Sequence, residues 1–188
     1  MFDNLQLLST SSPDIVLHTR TRRPIPNEIG CAPTEQHIRR FQALLKQGQP
    51  LGWEVRKPPT GGYNCAGHVW ASRRTGIYED LEQNVKYILQ DDGYRLIGRE
   101  NAYTLVLQGD LVLYWDSFQQ GRLFLHVGMV SEMRDGVTRE SPRLPWVLSK
   151  WDDVSGEVLH HFKNVPFPAG DFVVEFWTDR PITVGKLP

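Results

Sequence analysis

Residues 61–70 read GGYNCAGHVW, a stretch that decides the fold because it runs from a glycine-rich loop directly into an amphipathic helix. Cys65 lies at the junction. Unpaired backbone N–H groups and the positive end of the helix dipole favour a thiolate at such a position. The same N–H groups could stabilise an oxyanion. The position therefore predicts a nucleophile at Cys65, with a buried structural cysteine as the alternative.

Helical periodicity extends to both sides of this junction. Upstream, apolar residues recur at helical spacing over residues 38–45, and Thr34 is the predicted N-cap. Downstream of the helix that begins at Cys65, residues 81–89 repeat the pattern after Asp80, a second predicted cap. The first half of the chain is therefore predicted to be mainly helical.

Beyond residue 94 the apolar period changes to that of β-strands, and glycine-containing turns separate the segments. The predicted strands cover residues 104–107, 111–115, 123–130, 146–148, 158–161 and 172–177. Consecutive strands joined by short turns pair antiparallel, so the sequence predicts an α+β fold. Residues 1–33 are rich in proline and lack periodicity, which predicts an N-terminal arm before a single domain over residues 34–188.

Composition narrows the function classes. The 188 residues are 40% hydrophobic, which is typical of one globular domain with an appendage. Lys and Arg number 21 against 22 Asp and Glu, so no basic excess predicts a nucleic-acid or membrane partner. Two cysteines are too few for a disulfide scaffold. The start MFDNLQLLST lacks the basic residues of a secretory signal, so we expect cytoplasmic synthesis without a cleavable signal, with non-classical export as an alternative.

A thiol nucleophile needs a general base, and six histidines compete for that role. His126 stands inside an apolar strand, where a histidine is costly unless it is hydrogen-bonded. Strand alternation predicts one face composed of Phe124, His126, Gly128 and Val130. Gly128 leaves room beside the imidazole for another group. His126 is therefore the candidate base, with a satisfied core histidine as the alternative.

His68 follows Cys65 by three residues and is a weaker candidate, because a base on the same helix leaves little room for a substrate. A zinc site built from these two residues and His126 lacks a second closely spaced ligand pair, so no metal site is predicted. Trp53, Tyr63 and Asn64 are the predicted substrate-binding residues around Cys65, with core aromatic residues as the alternative.

Three motifs in order resemble one known family. Residues 63–70, running on to Thr75-Gly76-Ile77, resemble the nucleophile motif of the NlpC-type branch of the papain-like cysteine peptidases and amidases. Residues 109–114, GDLVLY, resemble the strand that precedes the histidine in that family. Residues 125–130, LHVGMV, resemble its His-Val-Gly-Ile strand. The resemblance covers about residues 60 to 130.

The resemblance implies a papain-like NlpC-type fold, in which the helix that bears the cysteine packs on a central antiparallel sheet. It implies a thiolate at Cys65, a base at His126 and a polar residue on the next strand that orients the imidazole. Ser149 is the preferred third residue. Its rivals are Lys150, Asp152 and His160.

The implied activity is cysteine-dependent amide hydrolysis without a metal or organic cofactor. Peptidoglycan peptides are the leading substrate, and a secreted effector with an inhibitor or immunity protein is the implied setting. A deamidase or peptidase that acts on a protein target is the enzymatic alternative. The unusual residue at Ser149 also leaves open a catalytically inactive papain-like binding module.

Overall fold

A computed structural model describes residues 15–118, 123–136, 142–167 and 172–181 and places in them a seven-stranded antiparallel sheet with a few helices. The α+β class is thus confirmed. The helices are α1 Glu35–Gly48, α2 Cys65–Trp70 and α3 Leu81–Asp91. The strands are β1 Glu54–Lys57, β2 Arg95–Arg99, β3 Leu111–Asp116, β4 Phe124–Arg134, β5 Leu144–Lys150, β6 Glu157–His161 and β7 Phe172–Thr178. None of the helices in these ranges has the length and apolar character needed to cross a membrane.

The helix starts follow local hydrogen bonding. The Thr34 hydroxyl accepts from the His37 backbone N–H, and the His37 ring accepts from the Thr34 N–H, so the predicted cap of α1 is confirmed. Asp80 precedes α3 but has a left-handed backbone with φ of 42° and makes no side-chain cap. The prediction of a cap there is wrong.

The strand predictions are wrong for residues 104–107 and for the two edge strands of the sheet. Residues 104–107 were predicted as a strand, yet a 3-10 helix occupies Glu100–Leu105. The two strands that the sequence did not reveal, β1 and β2, are the edges of the sheet. Charged residues make up most of β1, Glu-Val-Arg-Lys, so it lacks the apolar alternation by which a strand is recognised.

The strand order is β1-β6-β5-β4-β3-β7-β2, with every neighbouring pair antiparallel. The first two strands of the chain form the two edges of the sheet, and they pair with the last two strands. Glu54 of β1 lies opposite Leu159 of β6, and Arg95 of β2 lies opposite Thr178 of β7. The central strands β3 and β4 are therefore enclosed on both sides.

The sheet has two buried faces. On the front face, α2 and α3 pack over a cluster that includes Leu111, Leu113 and Val127. On the back face, Val112 and Tyr114 belong to a second cluster that includes neighbours from β4, β5 and β7. Successive side chains of a strand point to opposite faces. A shift of one residue in the strand register therefore moves a side chain from one cluster to the other.

The described part of the predicted arm, from Ile15 onward, packs against the front-face helices. Ile25 is buried with Ala66, Ile77 and Ile88. Asp91 of α3 accepts hydrogen bonds from the arm, from the Thr19 hydroxyl at 2.9 Å and the Arg23 guanidinium at 2.8 Å. Residues 1–14 of the predicted arm lie outside the described residues.

Candidate functional site

The loop-to-helix junction is locked by Asn64. Its side-chain oxygen accepts the Gly67 N–H at 2.9 Å, which caps α2, and the Ile77 N–H at 3.2 Å. Its amide group donates to the Ile77 carbonyl at 2.5 Å. At Gly67 a Cβ atom would lie 2.0 Å from the Thr75 carbonyl oxygen, so only glycine fits there. Asn64, a predicted substrate-binding residue, therefore uses its side-chain oxygen and nitrogen to hydrogen-bond the protein's own backbone.

Cys65 begins α2 as predicted, but only 7% of the residue is exposed to solvent. Burial raises the pKa of Cys65 to about 11, and this outweighs backbone hydrogen bonds at Val127, Ala66 and Cys65 itself that favour the thiolate. The helix start alone does not activate this sulfur. A nearby cation or base would be needed.

The structure does not bring Cys65 and His126 together. Cys65 packs on the front face with Val127, the residue after His126. His126 lies opposite Tyr114, a back-face residue, so its imidazole projects away from the thiol. Both ring nitrogens of His126 are buried without a hydrogen-bond partner among the described residues. The helix that carries the sulfur thus covers the wrong side of the histidine strand for proton transfer between them.

A β-bulge precedes this histidine. Tyr114 lies opposite His126 but Trp115 lies opposite Phe124, so β4 has one extra residue at Leu125. The bulge turns Phe124 to the front face, where its ring meets Trp115 at a centroid distance of 5.6 Å. The expectation that Phe124 and His126 share a face is therefore wrong.

His126 is instead part of an aromatic layer on the back face. Its ring centroid lies 4.8 Å from that of Trp151, 5.8 Å from that of Tyr114 and 6.1 Å from that of Phe167. Burial holds the pKa of His126 well below its ordinary value, and the nearby His160 lowers it further. This imidazole is neutral at physiological pH.

Ser149 contacts a histidine, but a different one from His126. Its hydroxyl lies 2.9 Å from Nε2 of His160, whose Nδ1 lies 2.8 Å from the His161 carbonyl oxygen. The carbonyl requires a proton on Nδ1, so Nε2 accepts the Ser149 hydroxyl proton. Ser149 and His160 are both fully buried. Within the described ranges, no group of three or more His, Cys, Asp or Glu side chains is arranged to hold a metal ion.

The front face contains a buried ionic cluster beside α2. Glu157 accepts from the Tyr63 hydroxyl at 2.7 Å and from the Arg73 guanidinium at 2.5 Å. Burial alone would raise the pKa of Glu157, but the hydrogen bonds from Arg73 and Tyr63 outweigh it and hold the pKa below its ordinary value. Arg73 also donates to Nε2 of His68, so that nitrogen is not free to act as a base. Tyr63, predicted to bind substrate, is buried in this cluster.

Lys150 closes the same cluster from β5. Its ammonium donates to the Thr60 and Ser155 carbonyls at 2.7 and 2.5 Å and lies 4.8 Å from the Tyr63 ring centroid. Asp152, another rival for the third position, accepts the backbone N–H groups of Val154 and Ser155. Both side chains therefore shape loops and do not touch His126.

Glu157→Gln is expected to lower the free energy of unfolding by about 2 kcal/mol, because it leaves Arg73 and Tyr63 facing a neutral amide in a buried position. Chemical denaturation at pH 7.5 measures this loss. Glu100→Gln is the matched control, since Glu100 is exposed and its partner among the described residues is the exposed Lys163, and it should change stability by less than about 0.5 kcal/mol. Equal effects of the two substitutions would contradict a structural role for the cluster.

The third predicted substrate-binding residue, Trp53, lies far from this cluster, with the back-face aromatic residues. Its ring centroid is 5.6 Å from that of Trp151 and 6.2 Å from that of His160. Its indole N–H donates to the Asn164 carbonyl at 2.9 Å, which leaves one side of the ring on a surface depression. Trp53 therefore lines a cavity.

That depression is part of a continuous groove along α1, which we call the α1 groove. A cavity of about 450 Å³ beside Arg40 adjoins one of about 310 Å³ beside Trp53, and the two share Leu44, Gln47 and Phe167. The second adjoins one of about 630 Å³ through Leu51, Val165 and Phe167. Aromatic side chains supply much of the floor: Phe41, Trp53, Trp151, Phe167 and Phe172.

Sequence reasoning did not find the α1 groove, because it treated α1 only as a helix with one core-facing stripe. The signal was weak. Leu44 and Leu51 remain partly exposed although they are apolar, and no sequence pattern distinguishes such residues from core residues. The loop at residues 162–167, which forms the other wall, has no periodic pattern at all.

No protein-family profile matches this chain, and no curated protein or solved structure is significantly similar to it.

Proposed function

We propose that this protein is a binding module that receives an extended peptide segment in the α1 groove, on a papain-like scaffold that does not use Cys65 for turnover. The observation that carries the proposal is the groove itself, three adjoining cavities with a shared aromatic floor. Three depressions that adjoin one another can receive an extended chain, and concave apolar sites with a few polar groups are the usual places where ligands bind.

The polar groups in the α1 groove favour a peptide over a hydrocarbon chain. Gln47 lines two of its cavities and has no hydrogen-bond partner among the described residues. An exposed side-chain amide beside aromatic rings suits the alternating amides and side chains of a peptide.

The scaffold part of the proposal rests on α2. A helix that begins at a cysteine and packs on the central strands of an antiparallel sheet supports the papain-like assignment. We infer the lack of turnover because the side chains of Cys65 and His126 lie on opposite faces of the sheet. Hydrolysis of peptidoglycan or of a protein amide would require these two side chains to meet.

Ala43→Glu is expected to weaken peptide binding by tenfold or more, because it places a charge on the wall of the α1 groove. The probes are synthetic 12-residue peptides selected from a random library on the full chain and then measured by calorimetry. Gln42→Glu is the control. It introduces the same side chain one residue away, at an exposed position of α1 that does not line the cavity beside Arg40.

Two results would contradict the proposal. Peptides that bind wild type and the Ala43→Glu variant equally occupy another site. Cleavage or deamidation of a bound peptide, detected by mass and lost in Cys65→Ala, would show that the thiol is catalytic after all.

A further inference from the structure

Helix α1, which forms one wall of the α1 groove, buries very little of itself against the rest of the protein. Of its 14 residues only Phe41 and Gly48 are buried. Helix α3 buries four of its 11 residues, and α2 buries four of six. The apolar residues Ile38, Leu44 and Leu45 of α1 all remain at least partly exposed. Because tertiary burial supplies most of the stability of a helix in a protein, α1 is weakly held in place.

The space between α1 and the aromatic floor is a cavity. It measures about 450 Å³ and has one wall from α1 and the other from the body of the protein. The residues of the first wall are Arg40, Phe41, Ala43, Leu44 and Gln47, and those of the second are Trp151, Asp152, Pro166 and Phe167. An outward movement of α1 would therefore break few packing contacts.

Phe41 is the side chain that fixes the middle of α1. Only 4% of this residue is exposed, and its ring lies over Gly156, which directly precedes β6. A Cβ atom at Gly156 would lie 2.8 Å from Cζ of Phe41, so the ring uses the space that the glycine leaves open. Gly48, the other buried residue of α1, has no side chain. The contact of one aromatic ring therefore opposes movement of the middle of the helix.

Both ends of α1 are attached to the body of the protein. Before the helix, a Cβ atom at Gly61 would overlap the Cys31 carbonyl oxygen, so the two backbones touch. At the end of the helix, a Cβ atom at Gly48 would overlap the Trp53 ring. The helix is thus held at its two ends and at one point between them.

We infer that α1 is a hinged wall of the α1 groove, which moves outward as one unit to admit a peptide and closes when Phe41 returns to Gly156. The inference rests on the proposed function and adds to it the step by which the ligand enters. The hinges are residues 32–34 and 48–52, because hinge motion is absorbed by a few residues at the ends of an element. In the second hinge, Gly52 has a left-handed backbone with φ of 76°, which glycine adopts without strain.

Native-state hydrogen exchange followed by NMR tests this opening without any ligand. In wild type at pH 7.0, the amides of residues 39–48 should exchange at least about tenfold faster than those of β3 and β4. They should share one opening equilibrium with a small dependence on urea, since opening exposes little surface. Protection that rises steadily from the helix ends toward Phe41, without any urea dependence, would indicate fraying of the ends and would overturn the inference.

Two substitutions separate the opening of α1 from global unfolding. Val85→Ala removes core contacts of α3 that persist when α1 opens. It should accelerate exchange in β3 and β4 by about tenfold or more and leave α1 unchanged within about twofold. Phe41→Ala should accelerate exchange in α1 by about tenfold or more, because the closed state then loses its anchor.

The outcome that contradicts the opening is equally specific. If Val85→Ala accelerates α1 as much as the central strands, α1 opens only when the whole protein unfolds, and the inference is wrong. Unchanged exchange of α1 in Phe41→Ala would also overturn it. Ile88→Val, a smaller truncation in α3, gives the same comparison with a severalfold effect if Val85→Ala does not fold.

A last measurement connects the opening with binding. The probe is a library-selected 12-residue peptide whose binding Ala43→Glu weakens. At saturation it should slow exchange in α1 by at least about tenfold, because a ligand held by the closed groove opposes opening. Binding that leaves the exchange of α1 unchanged would show that the wall does not close over the peptide. If Ala43→Glu weakens no peptide, the proposed function fails, whereas the exchange of α1 in Val85→Ala still decides whether the helix opens.

Discussion

At pH 5.0 this protein is expected to have lost about 6 kcal/mol of the free energy of unfolding that it has at pH 7.5. The main cause is the three most deeply buried histidines, which the fold keeps neutral; burial also lowers the pKa of a fourth, His161. Burial lowers the pKa of His68 to about 4 and that of His160 to about 3, and it holds the pKa of His126 well below its ordinary value. In the unfolded chain each has a pKa of about 6.5.

The direction follows from proton counting. Between pH 6.5 and about 4 the unfolded chain binds protons at these three sites that the folded chain does not, so falling pH favours unfolding. The stability is fully present above pH 6.5. Because domains commonly have only about 5–15 kcal/mol in total, the fold is expected to be only marginally stable at pH 5.

Urea denaturation at pH 7.5, 6.5, 5.5 and 5.0 measures this loss. His126→Leu should reduce the loss by about 2 kcal/mol, one third of the total, since it removes one of the three sites. His18→Gln should leave the loss unchanged, because His18 is exposed. A free energy of unfolding that stays constant down to pH 5.0 would mean that the three imidazoles become protonated without unfolding.

Native protein at pH 8 is expected to alkylate at Cys31 and not at Cys65. Both cysteines are free, but Cys31 is exposed and Cys65 is buried. With the pKa of Cys65 raised to about 11, its thiolate is rarer than that of a free thiol by a factor of ~100 at pH 8, and burial slows access further. Iodoacetamide should therefore react with Cys65 at least about a hundredfold more slowly.

Mass spectrometry of peptides from a labelling time course gives both rates in one sample. In Cys31→Ser the native protein should take up almost no label, and urea should restore labelling at Cys65. His126→Leu should not change the rate at Cys65, because the imidazole projects from the other face. Faster labelling at Cys65 than at Cys31 would indicate an activated thiolate and would favour the hydrolase.

The parts of the fold that the sequence predicted are those in which a local pattern and burial agree. Cys65 at the start of a helix, Thr34 as a cap and the apolar strands β3, β4 and β7 all lie where one periodicity dominates. The edge strands β1 and β2 were missed because only one side of each is paired, so charged residues are tolerated there.

The geometry of the site could not be predicted in the same way. Alternation placed His126 and Gly128 on a common face, and their partners Tyr114 and Val112 confirm it. It could not say which face α2 would cover, since that depends on long-range packing. Gly128 illustrates the point: the room beside it is taken by Val147 and the Ser149 hydroxyl, 2.5 and 2.6 Å from where a Cβ atom would lie, and not by the thiol.

The order of the strands has a consequence for biosynthesis. Strand β7 lies between β3 and β2, and β6 pairs with β1. The strands that are synthesised last therefore complete the pairing of strands that are synthesised early. Closing such long loops is entropically slow. During synthesis on the ribosome, β2 therefore remains unpaired until residues 172–178 have been made. A nascent chain that stalls before then exposes the free edge of β3 to chaperones or to aggregation.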